Sequence, residues 1–199
     1  MRRLLVTLLL IASLPLAAAP RTVLVVGDSL SAAHGIDVRK GWVALLRERL
    51  ARDFPSYQVV NASVSGDTTA GGLARLPSLL QQHRPAIVVV ELGGNDGLRG
   101  LPPGQMKSNI VGMITKSKAQ GAKVLLLGVR LPPNYGTRYT ELFRQVYRDA
   151  AREHQVPLVP LLLEGVDEGA LMQTDRIHPS AAAQPRILEN VWPSLRPLL

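Results

Sequence analysis

The sequence predicts an α/β fold: a three-layer α/β/α, doubly wound sheet of about five parallel strands. Three observations predict it. Short aliphatic and β-branched runs recur along the chain, amphipathic stretches with helical spacing separate them, and glycine-rich polar clusters follow the first three runs. Strands alternating with helices pair in parallel through right-handed crossovers, which leaves helices on both faces of the sheet.

The elements follow in order. Val23–Val26 is a first strand, and Gly41–Asp53 a helix with Trp42, Leu46 and Leu50 four residues apart and charges between them. Gln58–Ala62 reads as a second strand. Thr69–Gln82 is helical through Leu73, Leu76 and Leu80, with Pro77 acting against it. Ile87–Glu91 is almost entirely β-branched, the pattern of a strand buried on both faces. Lys107–Gln120 is a helix closed by Gly121, and Lys123–Gly128 a fourth strand. Arg138–His154 is the longest helix, Pro157–Leu161 a fifth strand, and Ala181–Leu199 partly helical, limited by Pro185 and Pro193. Leu101–Gly104 and Leu131–Gly136 read as loops. The flavodoxin-like strand order 2-1-3-4-5 sets the ends of strands one, two and three side by side, with the switch point between one and three.

The N-terminus carries a separate signal. Arg2-Arg3, the apolar Leu4–Leu16 and the small Ala17–Ala19 have the three parts of a secretory signal peptide, so residues 1–19 are expected to be removed. Thr7, Ser13 and Pro15 interrupt the apolar run and make it short for a membrane span. The expected location is periplasmic or secreted, and residues 20–199 suit a single domain, expected to be a monomer.

Loss of Arg2 and Arg3 lowers the formal charge from +8 to +6, so the remainder stays basic. Aromatic residues make up only 4% and no nucleic-acid motif occurs, which argues against a nucleic-acid partner. Arg144, Arg148 and Arg152 form a stripe at i, i+4, i+8 that reads as a solvated face, with at most weak attraction to anionic lipid head groups. The chain has no cysteine, and its four histidines lack metal-ligand spacing, so neither disulfide, metal nor cofactor is expected.

Four clusters carry chemistry. Gly27-Asp28-Ser29-Leu30-Ser31 follows the first strand, Asn61–Gly66 the second and Gly93-Gly94-Asn95-Asp96 the third, while Asp175-Arg176-Ile177-His178-Pro179 lies late in the chain. A serine hydroxyl needs an adjacent base, and His178 is the best candidate, with Asp175 one turn before it to orient the ring. An oxyanion needs donors: the Ser29 N–H, the Gly66 N–H and the Asn95 side-chain amide. His34, near Ser29 in sequence, reads as a rim residue rather than the base. Asp28 and Asp96 read as local hydrogen-bonding residues. Each cluster alone could be an ordinary turn, and the signal lies in their co-occurrence at strand ends.

At these residues the chain resembles the SGNH (GDSL) hydrolase family, in which Ser, Gly, Asn and His come from four separated blocks. The match is at Gly27–Ser31, Gly66, Gly93-x-Asn95-Asp96 and Asp175-x-x-His178, and the likeness extends from about Arg21 to Leu199. Asn61–Thr69, Glu91–Gly100, Arg130–Gly136 and Ile177–Pro185 resemble its bacterial periplasmic thioesterase, arylesterase and lysophospholipase subgroup. The resemblance implies Ser29 as nucleophile, His178 as base, Asp175 as its orienter, and Ser29, Gly66 and Asn95 as oxyanion donors. It further implies an adaptable acyl site with a mobile loop near Pro133–Gly136, where Pro133 and Tyr135 would line the acyl cleft. Arg176 stands where some relatives carry glycine. The substrates implied are acyl esters, thioesters and lysophospholipids. The sequence leaves two other readings open, an acyltransferase or deacetylase on a cell-envelope substrate and a non-catalytic anion- or nucleotide-binding module. The absence of a Gly-x-Gly-x-x-Gly pattern weighs against the module.

Overall fold

The computed structural model describes residues 20–166 and 169–199, so the proposed leader at residues 1–19 lies outside the described residues. Five strands form one parallel sheet in the order β2-β1-β3-β4-β5: β1 Arg21–Gly27, β2 Tyr57–Asn61, β3 Ile87–Glu91, β4 Lys123–Leu127 and β5 Leu158–Val159. The expected strand order is the one observed. Helices α1 (Trp42–Asp53) and α6 (Gln184–Leu195) pack together on one face. Helices α2 (Thr69–His83), α4 (Pro103–Ala119) and α5 (Thr137–His154) pack side by side on the other.

The sandwiched strands explain the aliphatic runs. All five residues of β3 are buried, as are Val23–Val26 of β1 and Val124–Leu127 of β4. A strand covered on both faces has no polar side to alternate with, so it reads as continuous apolar sequence. The helices contribute one stripe each: Trp42, Leu46 and Leu50 from α1, and Ile110, Met113 and Ile114 from α4, are fully shielded from solvent. Gln184, at the start of α6, is also buried, and its Oε1 accepts the Trp42 N–H at 2.9 Å. That bond satisfies an orphan donor at the N-terminus of α1, where Gly41 has no side chain to offer.

Several boundaries differ from expectation for local reasons. Pro193 stays inside α6, held by the packing of Trp192 and Leu195, while Pro77 lies inside α2 as the expected Thr69–Gln82 helix has it, between the buried Leu76 and Leu80. Pro103 does not end a loop but starts α4, at a first-turn position where its missing N–H costs nothing. Gly94–Leu98 forms a short helix, α3, instead of a simple strand-end turn; Gly93 turns the chain into it at φ +123°. Strand β5 is only Leu158–Val159, shorter than expected. The arginine stripe on α5 is paired along its own helix. Arg144 meets Glu141 at 2.6 Å, Arg148 lies 3.9 Å from the same carboxylate, and Arg152 bonds Asp149. Among the described residues no helix is long and apolar enough to cross a membrane.

Candidate active site

The register of β1 against β3 places Gly27 beside Glu91, so the chain leaves both strands at the same level of the sheet. Beyond Gly27 the backbone does not enter a helix directly. It winds through turns, with the Ala32 N–H on Asp28 O at 2.9 Å and the His34 N–H on Ser29 O at 3.2 Å. Ser29 is carried at the start of this winding. The loop after β2 runs alongside: Ala62 N–H donates to Val25 O and Val64 N–H to Gly27 O, which brings Gly66 into the neighbourhood of the serine turn. Gly66 adopts φ +81°, a left-handed conformation that glycine tolerates at little cost. Neither the Ser29 N–H nor the Gly66 N–H has an acceptor among the described residues.

His178 arrives from the opposite end of the chain. Asp175 Oδ1 accepts the N–H groups of Ile177 and His178, both at 3.0 Å, while the Arg176 N–H reaches Gln173 O at 3.0 Å. This tight turn forces Arg176 to φ +56°, where a glycine would be unstrained. Asp175 Oδ2 lies 2.7 Å from His178 Nδ1, and His178 Nε2 lies 2.9 Å from Ser29 Oγ. The His178 hydrogen bond, reinforced by the backbone donors, holds the Asp175 carboxyl well below the usual carboxylate range. An ionised Asp175 only accepts, so Nδ1 must carry the proton and Nε2 is left to take one from the Ser29 hydroxyl. Gln173 clamps the arrangement, donating to His34 O at 2.8 Å and Pro179 O at 3.1 Å.

Asn95, on α3, does not sit free. Its Nδ2 donates to Asp28 Oδ2 at 3.0 Å, while Asp28 Oδ1 accepts the Leu30 N–H at 3.1 Å. One amide hydrogen of Asn95 is thus fixed on Asp28, and both residues wall the cleft. Asp28 is only 2% exposed, and burial is the main cause that pushes its carboxyl up to about 6. Asp96 faces inward from the same helix and binds the Thr69 N–H at 2.8 Å and the Thr69 hydroxyl, fixing α3 to the start of α2. Arg75 pairs with Asp67 at 2.7 Å and bonds Ala62 O, so the Gly66 loop is tied to α2. Arg99 donates to Gly66 O at 2.9 Å.

Ser29 and His178 open into a cleft of about 360 Å³ with an apolar wall that includes Leu30, Leu98, Leu131, Pro132, Pro133 and Ile177. Arg130 and Arg176 stand at the same cleft. Pro133 therefore lies where an acyl chain would run. Tyr135 is not among the residues that line this cleft: its hydroxyl donates to Leu98 O at 3.0 Å, and it lines a separate hollow with Tyr139 and Leu142. Pro133–Tyr135 form a short 3-10 turn, and the Tyr135 bond ties that turn to Leu98 of the cleft wall. His34 stacks on His178 with ring centroids 4.5 Å apart, but it is His178 that bonds the serine.

Asp28 bonds locally, as its place in the first cluster implies, whereas Glu91 was assigned no role at the site from sequence. Glu91 is wholly buried beneath the serine turn, its Oε2 lying 2.7 Å from the Ser31 Oγ and 3.3 Å from the Asp28 N. The signal was a charged residue ending a run of four aliphatics in a strand covered on both faces.

The model of the GDSL-like lipase/acylhydrolase family matches residues 25–185. Esterase TesA of Pseudomonas aeruginosa is 61% identical over 183 residues, covering 92% of this chain and 91% of its own length. A crystal structure of TesA, 61% identical, superposes with a TM-score of 0.88 over 90% of this chain and 100% of that one. Thioesterase 1/protease 1/lysophospholipase L1 of Escherichia coli K12 is 47% identical over 184 residues, 92% of this chain and 87% of its own. The psychrotrophic esterase EstA from Pseudoalteromonas, in a structure inhibited by monoethylphosphonate, is 37% identical with a TM-score of 0.85, covering 89% and 97%.

Proposed function

The chain belongs to the GDSL-like lipase/acylhydrolase family of SGNH hydrolases, and from that premise we propose that it cleaves carboxylic esters and thioesters through an acyl-enzyme on Ser29. The observation that carries this reading is the hydrogen-bonded line Ser29 Oγ–His178 Nε2, His178 Nδ1–Asp175 Oδ2 at the mouth of an apolar cleft. His178 takes the hydroxyl proton as Ser29 attacks the acyl carbonyl, Asp175 balances the imidazolium, and the leaving alcohol or thiol receives the proton. Water then repeats the sequence on the acyl-enzyme. The Ser29 and Gly66 N–H groups and the remaining Asn95 amide hydrogen serve as oxyanion donors.

The substrate range is read from the relatives named above, one an esterase and one a thioesterase and lysophospholipase. The apolar wall suits acyl chains, and Arg176 at the cleft suits esters with an anionic portion. The chain is proposed as a monomer, and the basic stripe of α5, already matched by acids, suits at most weak membrane-surface contact. Residues 1–19 are proposed as a cleaved leader to the periplasm or exterior, and 20–199 as one catalytic domain; N-terminal sequencing of the exported protein checks the leader.

The test is a panel of aryl esters, acyl thioesters and lysophospholipids assayed for free acid, with fluorophosphonate labelling in parallel. Ser29→Ala should abolish labelling and remove nearly all turnover while keeping the fold, leaving roughly 10³–10⁴ over water from binding and the oxyanion donors. Labelling that persists on another serine would overturn the assignment.

A further inference from the structure

The carboxyl pair below the serine turn has no part in the proton transfers just described. Glu91 ends β3 and is completely shielded. Its Oε2 contacts both ends of the turn, the Asp28 N at 3.3 Å and the Ser31 Oγ at 2.7 Å, while its Oε1 has no hydrogen-bond partner. The strand next to it is built for this approach. A Cβ added at Gly27 would lie 2.9 Å from Glu91 Oε2 and 2.9 Å from the Ser31 side chain, so only glycine fits at the contact.

We propose that Glu91 is a positioning residue for the ester chemistry: its carboxyl group pins the turn that carries Ser29 and so holds Asp28 in line with the Asn95 amide. The inference rests on the oxyanion role given to Asn95 above. The linkage is continuous. Glu91 receives the Asp28 N–H, Asp28 Oδ1 closes the turn on the Leu30 N–H, and Asp28 Oδ2 receives Asn95 Nδ2. With one hydrogen held by Asp28, the second Asn95 N–H has a defined direction before substrate arrives, which is what an oxyanion donor needs.

The charge state of the pair follows from its surroundings. No lysine, arginine or histidine forms an ion pair with Glu91 among the described residues. From α2, Arg75 is engaged by Asp67 and backbone carbonyls, reaching Gly27 O at 3.3 Å. From α5, Tyr147 donates its hydroxyl to Leu92 O at 3.0 Å. From α3, Asp96 is occupied by Thr69, and across the cleft His178 faces Asp28 rather than Glu91. A buried carboxylate with no counter-charge and a second carboxyl beside it takes a proton. Burial first, and then repulsion from Asp28, push Glu91 well above the ordinary range. Burial and the neighbouring carboxyl thus favour the uncharged form of Glu91, which leaves the negative charge on Asp28, where the Asn95 amide donates.

The experiment compares E91L and E91Q with wild type in the full chain. It measures kcat and KM on a short aryl ester at pH 8, thermal unfolding, and the infrared carbonyl band of a protonated carboxylic acid. Leucine removes the acceptor, so E91L should lower kcat by about 10- to 100-fold with KM nearly unchanged, less than the roughly 10²–10³-fold of deleting an oxyanion donor. A glutamine carbonyl can receive both the Ser31 and Asp28 donors, so E91Q should recover most of that loss. The protonated-acid band should be present in wild type at pH 8 and missing from E91Q. A folded E91L with wild-type kcat, a loss confined to KM, or an E91Q no better than E91L would each overturn the proposal, and a wild type without the band would overturn the uncharged form given to Glu91. Should E91L not fold, E91Q activity and the band decide. A wild type inactive on every ester would sink the hydrolase reading itself, a result separate from any difference among Glu91 variants.

Discussion

Asp28→Asn exchanges function for stability in a way that can be worked out from its contacts. The carboxylate receives Leu30 N–H on one oxygen and Asn95 Nδ2 on the other, at 3.1 and 3.0 Å. An asparagine there has one oxygen and one NH2, so in either orientation a donor faces a donor. A hydrogen bond to a charged acceptor contributes about 1.5–3 kcal/mol. If the lost bond is the one that aims Asn95, kcat should fall by up to about 10- to 100-fold, at about 1.4 kcal/mol per factor of ten. Stability should move the other way. The folded-state value of Asp28 is about 6 against an ordinary 3.8, so keeping it ionised at neutral pH costs about 3 kcal/mol. Between those values the folded protein holds the proton and the unfolded chain does not, so unfolding free energy falls as pH rises through this window. The cost is complete above about pH 6 and absent below about pH 4. Asparagine carries no such cost but loses a neutral-strength bond of about 1 kcal/mol, so the variant should be more stable by about 1–2 kcal/mol at pH 8. Its advantage should shrink steadily toward pH 4. Urea unfolding at pH 8, 6 and 4, with steady-state ester hydrolysis at pH 8, measures both effects. An unchanged kcat, or a variant equally destabilised at all three pH values, would refute this account.

Other expected outcomes are simpler. Asn95→Ala should lower kcat by roughly 10²–10³, about 2.7–4 kcal/mol, with KM little changed; a rise in KM at constant kcat would make Asn95 a ground-state contact. Asp175→Asn should cost up to about 10⁴ in kcat through the wrong imidazole tautomer, read from the pH–rate profile. A profile of unaltered height would mean that Asp175 does not orient the ring. Tyr135→Phe removes the bond to Leu98 O at the back of the cleft wall and should destabilise by about 0.5–1.5 kcal/mol in thermal unfolding. Its chain-length preference should stay nearly constant, because the ring is outside the cleft.

The legible part of this fold was the part governed by short-range pattern. Strand β3 was expected at Ile87–Glu91 and lies there, because burial on both faces writes an unbroken aliphatic run. The strand order followed from alternation and handedness, and three of the four clusters supply residues of the cleft, among them Asp28, Ser29, Asn95 and His178, because strand ends converge at a switch point. The less legible features depend on packing in three dimensions. Helix α6 continues through Pro193 because Trp192 and Leu195 are buried, which local rules about proline do not weigh. The resemblance implied both Pro133 and Tyr135 for the acyl cleft, and of the two residues of this three-residue turn only Pro133 is among those that line it. Glu91 was read as a strand terminus, and only the stacked sheet shows that it sits under the serine turn.

The bond between Ser29 and His178 spans 149 residues of sequence, and the one between Trp42 and Gln184 spans 142. Bringing groups of that separation together carries the loop entropy of most of the chain, which the packed core offsets. The nucleophile turn hangs on β1 near the start of the domain, and its base comes from a turn just ahead of α6, which packs against α1. A serine without an adjacent base is a poor nucleophile. The reactivity of Ser29 is thereby tied to the docking of the C-terminal helix, and the two ends of the domain share one active group.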